Sequence, residues 1–193
     1  MDDLEFDKAL ITSAFHIAAT QGWCHVSVFA AAKAAELSPD LARVRFPSRA
    51  SILLHLGSLA DQAVLSVPAD DPTVRERLFD LLMRRYDAML PYRDGIKALL
   101  TALPADPATA VLLAAATRRS MGWMLEAGGV PVAGVLGHLK RDGLIAIWTY
   151  TIRVFVNDAS PDLSATMAAL DRALDRAGQI AALFEPKIST PPA

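Results

Sequence analysis

A chain of 193 residues can bury one sizeable hydrophobic core without a disulfide or a structural metal. Of its residues 53% are apolar, yet charges interrupt every apolar run, which excludes a membrane-spanning helix from the reading. Nineteen basic against 21 acidic side chains give a net charge of −2, so any nucleic-acid partner would have to meet a small basic head on an acidic body.

In chain order, the acidic start Asp2-Asp3-Leu4-Glu5-Phe6-Asp7 lacks the basic-then-apolar order of a signal peptide. The lone Cys24 cannot close an internal disulfide, and together these features give the expectation of a cytoplasmic protein. Strand signals are nearly absent, and the helical period recurs instead. Leu4, Ile11, Phe15 and Ala18 form one apolar stripe that Gly22 ends. Ser27 stands as the N-cap of an Ala-rich second helix, and Ser38-Pro39 starts a third, with the Ser hydroxyl as cap and Pro at the first position. Only Glu36-Leu37 separates those two helices, the tight spacing of a helix-turn-helix. Pro47-Ser48 opens a longer helix with Ile52, Leu56, Leu59 and Ala63 facing inward, and Pro68–Pro72 breaks it. Further helices are predicted over 73–89, from Pro91-Tyr92 to about Leu103, and over 108–127. Gly128-Gly129 stops the last of these and Pro131 starts a helix to 157 that is apolar on both faces between Leu144 and Val156. Ser160-Pro161 begins the final helix, where Leu163, Met167, Leu170, Leu174, Ala177, Ala181 and Phe184 alternate in steps of four and three.

The expected architecture is all-α: a helix-turn-helix head over 1–50, a helical ligand-binding and dimerisation body over 51–185, and a disordered Pro-rich tail over 186–193. A four-helix bundle across a two-fold axis would bury the last two helices of each copy. The predicted homodimer interface is Ile147, Thr151, Phe155, Leu163, Met167, Leu170, Leu174 and Ala181.

Residues 10–52 resemble the head of TetR-type regulators without a gap. The residues that carry the likeness are Leu10-Ile11, Ser13-Ala14, Gly22-Trp23, Ser27, Ala31-Ala32, Ala35-Glu36-Leu37-Ser38, and Arg43, Arg45, Phe46, Arg49 and Ile52. The resemblance implies operator DNA as partner, met by Ser27, Lys33, Ser38, Pro39, Arg43, Arg45 and Arg49. Three positions depart from that family. Glu36 stands for the turn Gly, Arg43 for a phosphate-touching Tyr, and acidic residues for the basic ones before the first helix. A guanidinium at 43 pairs well with a phosphate or a guanine edge, whereas Glu36 and Asp40 repel the backbone. On a short helix Arg45 lies about 200° from Arg43, so both cannot enter one groove.

The body resembles a second group, lipid-binding accessory proteins of ubiquinone biosynthesis that share this fold without using it on DNA. The likeness rests on Phe46-Pro47, Met89-Leu90-Pro91-Tyr92, Ala102-Leu103-Pro104, Trp148, Asn157-Asp158-Ala159-Ser160-Pro161-Asp162, Thr166 and Leu170-Asp171. Met83, Tyr86, Met89, Met121, Trp123, Met124, Trp148 and Phe155 are spaced so that they could converge on a cavity; ordinary core packing is the competing explanation. With little charge expected inside the body, the ligand would be apolar, such as a fatty-acyl or isoprenoid chain, with Arg118, Arg119 or Arg153 available for a polar head.

No cofactor and no enzymatic activity are expected. His16, His25, His55 and His138 have no metal-like spacing, and no Gly-rich phosphate loop or Gly-x-Ser-x-Gly elbow occurs. The preferred reading is a dimeric regulator whose DNA binding is modulated by a small apolar ligand; the alternative is a lipid-binding accessory protein without DNA readout.

Overall fold

The computed structural model describes residues 2–184, with side chains to Ala181; the predicted tail lies outside the described residues. Helices α1 (Asp3–Gln21), α2 (Val28–Ala34) and α3 (Pro39–Arg45) form the head. The body comprises α4 (Arg49–Leu65), α5 (Val74–Met89), α6 (Arg93–Ala102), α7 (Pro107–Ala127), α8 (Gly134–Phe155) and α9 (Ser164–Phe184). No strand occurs among the described residues. Head and body share one core: α1 packs along α6, α4 on α5 and α7, and α8 on α9 and α7.

The expected cap at Ser27 is present, accepting from the Ala30 N–H (3.0 Å). Ser48 and Thr73 in addition each close a reciprocal cap with the residue three positions on. The stripe on α1 is buried at Ile11, Phe15 and Ala18, but Leu4 is 44% exposed and Phe6 takes its place. On α4, Ala63 faces solvent, and Ala60 and Val64 complete the buried row instead.

Two helix starts differ from the predicted ones. α8 begins at Gly134, not Pro131, because Val130–Ala133 runs back over its first turn; a Cβ on Gly137 would lie 2.2 Å from the Val132 carbonyl carbon. α9 begins at Ser164, not at Ser160-Pro161. The reason is Asp158, whose carboxylate accepts from the Thr166 N–H (2.8 Å), the Thr166 hydroxyl (2.7 Å) and the Ser160 N–H (3.0 Å). That network holds a turn in which Leu163 has φ +56°, a left-handed conformation rare for a branched side chain.

Burial works against the Asp158 charge, but the hydrogen bonds from Ser160 and Thr166 prevail and hold its pKa down at about 2. A carboxylate depressed below its unfolded value near 4 contributes stability above that value and loses it as pH falls towards 2. Asp158→Asn is therefore expected to lower the melting temperature at neutral pH and to flatten its decline between about pH 4 and 2. Thermal melts at several pH values check this; parallel curves for both proteins would exclude the linkage.

Candidate nucleic-acid interface and the buried body site

In the head, the turn between α2 and α3 is closed by the Leu37 N–H donating to the Ala32 carbonyl (2.8 Å), with Glu36 at φ +55°. This is the left-handed stop that Gly adopts without cost, so Glu36 carries strain of about 1–2 kcal/mol there. Ser38 precedes α3, but its hydroxyl donates to the Asp40 carboxylate and caps no backbone N–H. That bond and the backbone N–H groups at the start of α3 lower the Asp40 pKa, so a negative charge is fixed beside Pro39 at the exposed end of the helix.

The three candidate arginines go three ways. Arg43 is exposed on α3, with one guanidinium nitrogen donating to the Pro47 carbonyl (2.5 Å). Arg45 turns back to α1, where it forks onto Asp7 (2.7 and 2.8 Å), pairs with Asp3 (2.9 Å) and lies over the Phe6 ring. Those carboxylates hold its proton more firmly than in a free guanidinium. Arg49 lies against Trp23 (5.5 Å to the ring) and pairs with Asp106 (3.0 Å), a residue of the body. Arg45 and Arg49 thus tie the head together and to the body. Lys33 is exposed on α2. The outward surface of α2 and α3 also carries Phe29 (65% exposed), Leu41 (54%) and Val44 (81%), which the sequence reading did not single out.

The predicted ligand-binding side chains do not surround an open chamber. Tyr86, Met121, Met124 and Phe155 are fully buried and Met89 and Trp148 nearly so, while Met83 packs against them half-buried. The Tyr86 and Trp148 rings stack at 4.8 Å, Phe155 leans on Tyr86 at 4.9 Å, and the Tyr86 hydroxyl meets the Thr151 hydroxyl at 2.5 Å. Burial raises the Tyr86 pKa, so the phenol stays protonated. Trp123 is the exception, standing on the surface of α7.

The expectation of an almost uncharged interior is corrected. Arg85, 6% exposed, lies over the Trp148 ring (5.1 Å) and pairs with Asp61 of α4, which also accepts from the Ser120 hydroxyl of α7 (2.5 Å). Among the described residues its Nε is buried without a partner. Burial pulls the Arg85 pKa down to about 10, which leaves it protonated at neutral pH. A signal was available: Leu78, Leu81, Leu82, Arg85, Tyr86 and Met89 share one helical stripe.

Of the residues expected at a dimer interface, Ile147, Thr151, Phe155, Leu163, Leu170 and Leu174 are buried within the single chain, Met167 is half-buried and Ala181 is exposed. The face of α8 that remains open carries Leu136, Leu139, Gly143, Ala146 and Tyr150, again at alternating three and four. No helix is long and apolar enough to cross a membrane, and no group of His, Cys, Asp or Glu is arranged to hold a metal, among the described residues.

No family model and no curated protein matches the chain. Solved structures do. A TetR transcriptional regulator from Nitrosomonas europaea ATCC 19718 aligns over 91% of this chain and 99% of its own, with a TM-score of 0.72 and 21% identity. A regulator of the same type from Rhodococcus sp. RHA1 gives 97% and 100% coverage, 0.60 and 15%, and one from Streptomyces coelicolor 96% and 85%, 0.64 and 19%. Head, body and their connection are all included in these alignments, and the chain has the fold of the TetR-family transcriptional regulators.

Proposed function

We propose that the protein is a homodimeric DNA-binding regulator of the TetR type, reading its operator mainly through Arg43 and the apolar ridge of α3. The observation that carries this is an intact α2–α3 unit whose outward face bears Arg43, Leu41 and Val44, on a fold shared end to end with proteins described as TetR regulators. Exposed Leu and Val side chains suit thymine methyl groups, and a guanidinium suits a guanine edge or a phosphate. With Arg45 and Arg49 held in ion pairs, few cations remain for phosphates. The salt dependence should then be shallow, with log affinity falling by about 2–4 per decade of salt for two to four phosphate contacts.

A second reading is favoured by the charge of the head. Over residues 1–50, Lys8, Lys33, Arg43, Arg45 and Arg49 face Asp2, Asp3, Glu5, Asp7, Glu36 and Asp40, a balance of five against six. An acidic head with an apolar outer face fits a lipid-binding accessory protein without DNA readout. Anisotropy of labelled DNA from the gene's upstream region, titrated at several salt concentrations, decides between them. Saturable, site-selective binding supports the regulator; no binding of the folded dimer at low salt supports the accessory protein.

In either reading an apolar ligand would sit in a groove of about 440 Å³ between α1, α4 and α5, lined by Leu4, Lys8, Leu56, Leu59, Ala63 and Tyr92. A chain seated there would bear on α4, which joins body to head. It would change head spacing only by binding one spacing better than the other. The dimer is proposed to form on the open stripe of α8. Leu139→Arg is expected to yield monomers in light scattering with an unchanged melting profile; a dimer that persists would move the interface elsewhere.

A further inference from the structure

We propose that a second groove, between α7 and α8, binds a small organic anion: a carboxylate or phosphate monoester carried on a flat aromatic body. The groove has a volume of about 420 Å³, and Arg118, Arg119, Gly122, Trp123, Glu126 and Arg141 line it. Three guanidinium groups from two helices therefore meet one carboxylate. Arg118 is held at the rim by Asp142, whereas among the described residues Arg119 and Arg141 make no ion pair.

Arg141 reaches from α8 to α7 beside Gly122, where a Cβ would lie in ordinary van der Waals contact with its Nε (3.5 Å) and its Cζ (3.8 Å). Among the described residues that Nε is buried without a hydrogen-bond partner. One position along α7, the Trp123 indole stands 55% exposed over the same groove. A planar donor fork beside an open indole matches a ligand that offers an acceptor pair at one end and a ring at the other. Glu126 leaves the lining with a net positive charge, which suits a single anionic group. The site is separate from the apolar groove at α1 and α4 and does not depend on the head binding DNA.

The test uses the full-length protein with 2-naphthoate, phenyl phosphate and inorganic phosphate as probes, read by calorimetry and by tryptophan fluorescence. Trp23 and Trp148 are 2% and 7% exposed, so quenching of the accessible emission reports on Trp123. Saturable binding of an aromatic probe is expected, weakened at least tenfold in Arg141→Gln, with the fluorescence response lost in Trp123→Phe. Preference between the two aromatic probes identifies carboxylate or phosphate as the head group. Thermal melts confirm that both variants fold; if Arg141→Gln fails to, Arg119→Gln takes its place. Absence of saturation at millimolar probe, equal affinity in the arginine variants, or equal binding of inorganic phosphate and the aromatic probes overturns the proposal.

Discussion

Replacing Asp61 by Ala is expected to destabilise the protein by about 3–5 kcal/mol, because it strands the Arg85 guanidinium in the interior without a counter-ion. Arg85 is 6% exposed and packed over Trp148, and its Nε already lacks a partner among the described residues. Losing Asp61 removes its only ion-pair partner among the described residues and orphans the Ser120 hydroxyl as well. For a chain of this size each kcal/mol lowers the melting temperature by about 2–4 °C, so a drop of roughly 10 °C should appear in a circular-dichroism melt. The double variant Asp61→Leu with Arg85→Met should recover most of that loss, since a buried ion pair replaced by apolar side chains of similar volume is often neutral. Arg85→Met alone should cost less than Asp61→Ala, because Asp61 is the more exposed partner and keeps Ser120. A melt for Asp61→Ala that matches the parent protein would mean that solvent reaches the guanidinium.

The second large effect belongs to the head. Under the regulator reading, Arg43→Ala is expected to weaken operator binding by about 1–3 kcal/mol, the worth of one good base or phosphate contact. Arg45→Ala should act differently: it breaks the fork onto Asp7 and the pair with Asp3, so it should loosen α3 on α1 before it touches DNA directly. The more telling variant is Asp3→Asn with Asp7→Asn. It removes two negative charges near the phosphates and frees the Arg45 charge. The Asn amide oxygens can still accept from Arg45 and keep α3 on α1, so affinity should rise and the salt slope steepen by about 1. Anisotropy at three salt concentrations separates these cases. Arg43→Ala binding DNA as well as the parent would leave the apolar ridge without its polar anchor and favour the accessory-protein reading.

The pattern of the chain made some features legible and hid others. The head was readable because its signals are local: a Gly stop, Ser27 in the cap position, and a short link before Pro39. The shift of α9 to Ser164 was not, because it depends on one carboxylate gathering donors from both sides of a turn. The apolar seam expected for a second copy has Leu163, Leu170 and Leu174 buried within the chain, where α9 packs on α8 and α5. Periodicity reports that a face is buried and is silent on what buries it. Conversely, the open stripe on α8 mixes Gly and Ala with Leu and Tyr, and stands out only after the inward face has been taken by the core.

By itself, then, the sequence determined the all-helical class, the number and rough limits of the described helices, and the helix-turn-helix head, all of which follow from caps, breakers and apolar spacing within a turn or two. The tertiary structure decided which charges are free. Arg45 reaches Asp7 across 38 residues and Arg49 reaches Asp106 across 57, while Arg85 meets Asp61 inside the body and Arg141 reaches α7 beside Gly122. The physical reason is that a helical period fixes the direction of a side chain from its own axis, whereas the partner of a charge depends on which other helix folding brings beside it.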